Sequence, residues 1–474
     1  MKKRSRRKKR VDVSLTETAT PLFLLNEHRQ IEFFNAGLEQ LTGWSASEVL
    51  GTVCRYHSDD PPSEDILDDE SAERAAFAAT LCPPPQLFAS SEPTGSPTYL
   101  KHRDGASLPR LLNFFPLKDS DGNITHIIGI VTDLPAPVPT HVSPAQHLHA
   151  ELAAVRAALR QRYGFSSFIA QSVFMQRAVA QINIASQVQS PVLIRGEPGT
   201  GREHVARLIH NESGHHLNAF VPVDCRTLPA REIKSLLKRL VEAQTSPPSL
   251  PSLRPGTVYL ANVEAIPRDL QEQIVELWNP DTSDSLTNLR LMAGTAVGFS
   301  ELLKAETLRE DFYSLLTRLE IFLPPLRDRK GELDLLAQAF LEADNRTDTR
   351  QIGGFSQEVI DKFHDYRWPG NLDELQTVIA EARQQCQEAI IEIADLPFRF
   401  RTGLEAQQVG PPVSAPVRPL AETLAEFEIE QIRAALKQAR DNKTLAAKLL
   451  GLTRPKLYRR MEALGIAEDE EQDR

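Results

Sequence analysis

The 474-residue sequence has only four cysteines, Cys54, Cys82, Cys225 and Cys386, and no two form a C-x-x-C pair. That scatter excludes a disulfide framework and a zinc ribbon, so no metal site is expected, and it fits a reducing cytoplasm. Long apolar runs are missing too. Nothing approaches the roughly 18 residues a membrane helix needs, so no membrane association is expected. The first ten residues carry eight Lys or Arg, but no apolar segment follows, which argues against a secretory leader. Bulk positive charge is also lacking. Lys+Arg total 54 against 64 Asp+Glu, a net charge of -10, so any nucleic-acid surface must be local. What remains is ordinary globular material, 41% hydrophobic and 25% charged, long enough for about three domains.

Residues 1–15 read as a basic, disordered tail, either simply solvated or a nonspecific arm for nucleic acid or an anionic surface. Within 16–135, PLFLLN and QIEFFN are strand-like runs, and AGLEQLTGWSASEVLG has helical spacing ending at Gly51. LPRLLNFFPLKD and ITHIIGIVTDL read as a hairpin turned at Ser120-Asp121-Gly122-Asn123. The acidic, Pro-rich stretch 57–95 reads as an irregular insertion. The phrases FNAGLEQLTGWSASEVLG and KDSDGNITHIIGIVTDL make this unit resemble a PAS sensor domain. PAS ligands vary, so the resemblance leaves the ligand unknown. His57, Cys54 and Cys82 are candidate haem or metal ligands, with a packing or surface role as the plainer reading.

Residues 136–164 combine a Pro-rich linker with a helix whose Leu148, Leu152, Val155 and Leu159 share one stripe. That stripe fits a dimerising signal helix or a spacer. Residues 165–330 alternate strands and helices, 331–400 are helical, and 401–420 read as a second flexible linker. Residues 421–467 are helical, and 468–474 form an acidic tail.

In PVLIRGEPGTGREHVARLIH an apolar strand enters a Gly-rich loop that opens a helix. Such a loop turns backbone N–H groups toward phosphates, helped by the helix N-terminus. Gly196, Gly199 and Gly201 stand where the pattern G-x-x-x-x-G-K-[ST] needs them, but Arg202 takes the lysine position. A planar, forked guanidinium does not replace a compact ammonium.

The surrounding phrases SSFIAQSVFMQRAVAQINIASQVQS, FVPVDC, EIFLPPLRDRKGELDLLAQAFL and WPGNLDELQ resemble the AAA+ domain of bacterial enhancer-binding proteins, activators of sigma-54 RNA polymerase. The resemblance implies a nucleotide site at Gly196, Glu197, Pro198, Gly199, Thr200, Gly201, Arg202 and Glu203, with Arg309 as an arginine finger. It also exposes losses. The acidic pair that holds magnesium and polarises water falls on Ala261 and Asn262, and the sensor-I asparagine on Ala296. The second finger is Leu315, and the sensor-II arginine is Asp373. Glu264 is the sole candidate for a displaced acid, and Arg318 could replace the second finger only in a remodelled helix. The GAFTGA loop that contacts the sigma factor is absent, and TSPPSLPSLRP stands in its interval. Phosphoryl transfer rests on positioning and charge neutralisation. Hydrolysis is therefore expected to be absent or vestigial, with ATP or ADP binding left open and not required.

From Gln431 to Arg460, nine Lys or Arg face one acid, Asp441. Phe427, Ile429, Ile432, Ala435 and Leu436 mark a long amphipathic helix. TLAAKLLG is a short helix, Gly451 a turn, and Thr453 the N-cap of a second helix. DNKTLAAKLLGLTRPKLYRRMEALGI resembles the Fis-type helix-turn-helix that ends enhancer-binding proteins. By that resemblance Thr453, Arg454, Lys456, Tyr458, Arg459 and Arg460 form the DNA-binding surface, Arg454 and Lys456 being candidates for base edges or nearby phosphates, and Arg459 and Arg460 for backbone contacts.

The expectation is a multidomain α/β chain. It comprises a PAS-like α+β domain, an AAA+ α/β P-loop domain with a helical lid, and a C-terminal all-α helix-turn-helix. Its expected function is cytoplasmic regulation of transcription on double-stranded DNA, as a homodimer or higher homo-oligomer, with RNA polymerase a candidate partner. The alternatives are an active AAA+ ATPase that remodels sigma-54 polymerase, and a modulator in mixed assemblies with an active homologue.

Overall fold

The computed structural model describes residues 14–58, 69–90, 92–134, 143–163, 168–214, 217–245, 255–278, 289–298 and 307–408. Toward the C-terminus it describes 428–429, 431–436, 438–439 and 442–464. Residues 1–13 of the basic N-terminal tail, most of the Pro-rich linker, the interior of TSPPSLPSLRP, the end of the second linker and the acidic tail lie outside these residues, while residues 14–15, expected in the tail, begin a short helical stretch at 14–17. The chain divides into two units, 1–404 and 405–474.

The N-terminal part of the first unit begins with β1 (Leu22–Asn26) and β2 (Ile31–Phe34), then short helices α1 (Ala36–Thr42) and α2 (Ala46–Val49). The single helix expected through Gly51 is two, because Gly43 turns left-handed at φ 73 and ends α1. Helices α3 (Asp69–Thr80) and α4 (Gln86–Ser90) follow, then β3 (Thr94–Lys101), β4 (Ser107–Lys118) and β5 (Ile124–Asp133). The sheet is antiparallel in the order β2-β1-β5-β4-β3. Its core stacks Trp44 on Phe77 at 5.4 Å.

The stretch 57–95 is thus not simply irregular. Ala is the strongest helix former, and the run Ser71–Leu81 contains five alanines around Phe77, which is wholly buried. The surrounding acids and prolines masked that signal, and β3 was missed for the same reason.

Helix α5 (Pro144–Tyr163) leads to α6 (Val173–Gln187) and the P-loop domain. Leu152 enters the lid core and Leu159 packs beneath α6, so the apolar stripe closes on its own chain. The second sheet is parallel, in the order β10-β6-β9-β8-β7. Its strands are β6 (Val192–Arg195), β7 (Ala219–Asp224), β8 (Pro255–Ala261), β9 (Arg290–Thr295) and β10 (Leu319–Phe322). Between them lie α7 (Arg202–Asn211), α8 (Ala230–Thr245), α9 (Arg268–Leu277) and α10 (Glu310–Leu316). The near-continuous apolar runs of β8 and β9 are buried except at Ala261, the last residue of β8, as a doubly covered parallel sheet requires.

The lid contains α11 (Leu333–Asn345), β11 (Gly354–Phe355), α12 (Gln357–Asp365), α13 (Asn371–Gln385), β12 (Ile390–Ile391) and α14 (Phe398–Gln408). Helix α14 corrects the expected linker at 401–420. Phe400 and Leu404 are buried in the lid core, so residues 401–404 belong to the lid.

In the C-terminal unit, residues 428–429 and 431–436 are helical. Helices α15 (Lys443–Leu449) and α16 (Arg454–Ala463) follow, joined through Gly451 at φ 67. Ile432, Ala435, Ala446, Ala447, Leu457 and Met461 form its small core.

Candidate functional site

The phosphate loop leaves the buried strand β6 and ends at α7, so its backbone lies at the C-terminal edge of the parallel sheet, where open α/β sheets bind ligands. Gly199 and Gly201 take φ of 77 and 89. A side chain at Gly199 would meet the Gly370 carbonyl oxygen, which an added Cβ would approach to 2.1 Å. The glycine therefore serves close contact with the lid as well as the turn. Thr200 is buried, and its hydroxyl donates to the Glu197 carbonyl at 2.8 Å.

The substituted positions meet each other. Arg202 Nη2 donates to Asn262 Oδ1 at 3.2 Å, and Asn262 Nδ2 donates to Asp224 Oδ1 at 2.9 Å. Asn262 sits in left-handed geometry at φ 57, which asparagine tolerates better than most residues. The Arg202 Nη1 is buried without a partner. The residue in the lysine position is thus held by the residue in the acid position. Ala261 ends β8 opposite Asp224 and offers only a methyl group.

Glu264 does not turn toward the loop. Its Oε1 accepts from Arg226 Nη2 at 2.8 Å. Ala296 follows β9, half-buried. Leu315 is buried in the core beside Phe312 and Leu316. Arg309 pairs with Asp311 at 2.8 Å and Glu272 at 3.3 Å, and among the described residues nothing joins it to the loop. Arg318 is exposed. Glu203 pairs with Arg207 on the surface of α7.

Three further residues of the site were not singled out in the sequence. Asp224 is one. The second is Asn371, wholly buried at φ 52. Its Nδ2 donates to the Pro198 carbonyl at 2.9 Å and to Glu197 Oε2 at 3.3 Å, and its Oδ1 accepts from Leu326 N at 2.8 Å. The third is Arg327, whose guanidinium forks onto the Glu197 carboxylate, with Nη1 at 2.8 Å from Oε2. That contact, with Asn371 assisting against partial burial, holds the Glu197 pKa below its ordinary value. The phrases WPGN, LRDRK and FVPVDC contain these residues, but a linear motif does not show that they converge.

Leu372 N donates to the Gly199 carbonyl at 2.8 Å, so the first turn of α13 rests on the loop. A cleft of about 520 Å³ lies there, lined by Pro198, Gly199, Asp373, Thr377, Arg399 and Phe400. Asp373 and Glu374 occupy the first turn of α13, where the helix dipole favours acids. Acids there oppose a polyphosphate.

On the C-terminal unit Thr453 is the N-cap of α16 and Pro455 stands in its first turn. Arg454, Lys456 and Arg459 are exposed along α16. Tyr458 lies between two cations, with Lys443 Nζ at 5.3 Å and the Arg454 guanidinium at 5.7 Å from its ring. Arg460 is drawn instead to Glu428 on the preceding helical residues, at 3.2 Å.

His57, Cys54 and Cys82 are all buried in the N-terminal domain. Among the described residues, no group of three or more His, Cys, Asp or Glu is placed to hold a metal ion. Burial pushes the Cys82 thiol up to about 12, which keeps it protonated and unreactive. No described helix is long and apolar enough to cross a membrane.

Comparison with known proteins identifies four regions. Residues 19–135 match the PAS domain, 168–322 the sigma-54 interaction domain, 327–411 the AAA+ ATPase lid domain, and 423–464 the bacterial regulatory protein Fis family. The chain is 30% identical over 335 residues to the alginate biosynthesis transcriptional regulatory protein AlgB of Pseudomonas putida, covering 68% of this chain and 72% of that one. It is 31% identical over 293 residues to the regulatory protein AtoC of Escherichia coli, covering 59% and 63%. A signal-transduction and transcriptional-control protein of Clostridium beijerinckii is 26% identical over 370 residues. That match takes in 75% of this chain but only 55% of the relative.

Proposed function

Because the chain belongs to the family of sigma-54-dependent bacterial transcriptional regulators, we propose that it regulates transcription as a DNA-binding protein without hydrolysing ATP. The observation that carries this reading is the bond between Arg202 and Asn262, with Asp224 behind it. In a working site these positions present a free cation to the phosphates and an acid to metal and water. Here the cation is engaged by an amide, and the amide by a carboxylate one strand away.

Ala261 supplies no metal ligand, Glu264 is engaged by Arg226, and Leu315 is committed to the core. An arginine finger alone is worth about 10³–10⁵ in rate. Loss of one finger together with the acid pair removes most of the charge that phosphoryl transfer needs. ATP or ADP is at most an assembly ligand, admitted only if Arg202 leaves Asn262. The lid cleft with Asp373 and Glu374 at its edge works against it.

The output is binding to double-stranded DNA. Arg454, Lys456 and Arg459 project from α16, with the Tyr458 ring beneath the Arg454 guanidinium. The protein acts in the cytoplasm as a dimer or larger homo-oligomer, and RNA polymerase is its downstream partner.

The test is a fluorescent ATP analogue together with phosphate release from the purified full chain. Binding with no turnover, or no binding, is expected. Turnover abolished by Arg202→Ala would overturn the reading and restore the active remodeller. On DNA, Arg454→Ala with Lys456→Ala should weaken binding and reduce the salt dependence by about two counterions. Unchanged affinity together with an unchanged salt slope would remove these residues from the interface.

A further inference from the structure

A deeply buried charge network of the first unit lies where the PAS domain, α5 and the lid meet. Glu342 of α11 is 0% exposed. Its Oε1 is 2.7 Å from His149 Nδ1 of α5 and accepts from Gln338 Nε2 at 2.9 Å. Its Oε2 accepts both from Ser58 N at 2.8 Å and from Ser58 Oγ at 2.6 Å. Arg156 of α5 donates to Ser58 Oγ at 2.7 Å. Only Gln338 of these donors belongs to the lid. The rest come from the sensor domain and from α5.

The short PAS segment Arg55–Ser58 is held along its backbone as well. Tyr56 N donates to Gln351 Oε1 at 2.7 Å, and the Tyr56 carbonyl accepts from Asn345 Nδ2 at 3.0 Å. Arg55 Nη1 donates to the Asp348 carbonyl at 2.9 Å. The Tyr56 side chain belongs to the PAS core, and its ring stacks on His149 at 4.2 Å. One residue therefore has its side chain in the sensor core and its backbone on the lid.

We propose that Glu342 is a latch through which the PAS domain sets the position of the lid, with Arg55–Ser58 as the sensor's output segment. A buried carboxylate is tolerated only while its hydrogen bonds are made. If the PAS core repacks and Ser58 withdraws, Glu342 loses two donors at once and Arg156 loses one of its contacts. The lid must then admit water or move, which gives two discrete arrangements. Helix α11 shares its core with α13, whose first turn rests on the phosphate loop through Leu372 and Asn371. A change in the sensor core thus reaches the loop through packed elements. This holds whether or not the loop takes nucleotide.

The experiment is hydrogen exchange on the full chain without nucleotide, comparing wild type with Glu342→Gln and Ser58→Ala. Asp311→Asn, an exposed and remote change, is the control. Both latch variants should exchange roughly tenfold faster in 54–58 and in α11, with the change extending into α13 and with β1, β4 and β5 still protected. Faster exchange confined to 54–58, or no change in α11, would overturn the proposal. If Glu342→Gln does not fold, Ser58→Ala decides, since it removes one hydroxyl and leaves the carboxylate its other donors.

Discussion

The phosphate loop and the sensor–lid seam solve opposite problems with the same kinds of side chain. At the loop, Arg202, Asn262 and Asp224 are half-buried and linked in a row, and one guanidinium nitrogen is left without a partner. At the seam, Glu342, His149 and Arg156 are almost completely buried, and the carboxylate is bonded on both oxygens. Half-buried polar residues can be held in loose pairs, because part of their surface still reaches water. A carboxylate at zero exposure has no such relief, so its partners must all be present.

The sharpest way to break that comparison is Glu342→Ala. It would remove the carboxylate that His149, Arg156 and Ser58 gather around and leave their buried polar groups to be satisfied elsewhere, at a cost of about 3–5 kcal/mol in stability. Chemical denaturation of the full chain measures it, and a loss near zero would return the seam to the status of a surface contact.

Acidification should give the next largest effect. Burial pushes His57 down to about 3, opposed by Glu342 and reinforced by Arg346, Lys101 and His149. Burial by itself would raise Glu342, but His149, Arg156 and Ser58 outweigh it and hold the carboxyl at about 2. Both folded values lie below the unfolded ones, 6.5 and 4.5. Their contributions are therefore complete at neutral pH. They decline as pH falls through 6.5 toward 3 for His57 and through 4.5 toward 2 for Glu342. The slope is about 1.4 kcal/mol per pH unit for each group. Denaturation midpoints across pH 8 to 4 should be flat at first and then fall. A midpoint that does not move below pH 6 would contradict the neutral, buried His57.

Asn371→Ala tests the part of the phosphate-loop shell that is tightly built. Three hydrogen bonds and a left-handed backbone are lost or strained, for about 2–3 kcal/mol. A drop in thermal midpoint should accompany faster proteolysis of the loop. The smallest effect belongs to Arg202→Ala, below about 1 kcal/mol, because a half-buried guanidinium with one long hydrogen bond contributes little net stability. A large loss there would make the Arg202–Asn262 pair structural and erase the contrast with the seam.

Much of this molecule was legible in linear order. The strand–loop–helix at 191–210, the Gly451 turn and the basic run from Arg433 to Arg460 are all local patterns, and the elements formed there. Errors came where local composition misled. The acids and prolines around 57–95 hid the Ala-rich α3, and the polar residues after 400 hid α14, whose burial depends on only Phe400 and Leu404. At the loop, Arg202, Ala261 and Asn262 could be recognised as departures from a motif. Asp224, Arg327 and Asn371 could not be recognised as their neighbours.

The sequence alone determined the order of domains, the phosphate loop with its missing charges, and the basic helix-turn-helix, because each is encoded by residues within a few positions of one another. Only the tertiary structure decided that Arg202 reaches Asn262, that the stripe on α5 closes onto its own lid, and that Ser58 meets Glu342, 284 positions away. Periodicity and spacing report the face a residue presents. The partner it meets depends on how separate elements pack, and that is settled by the burial of whole cores rather than by neighbours in the chain.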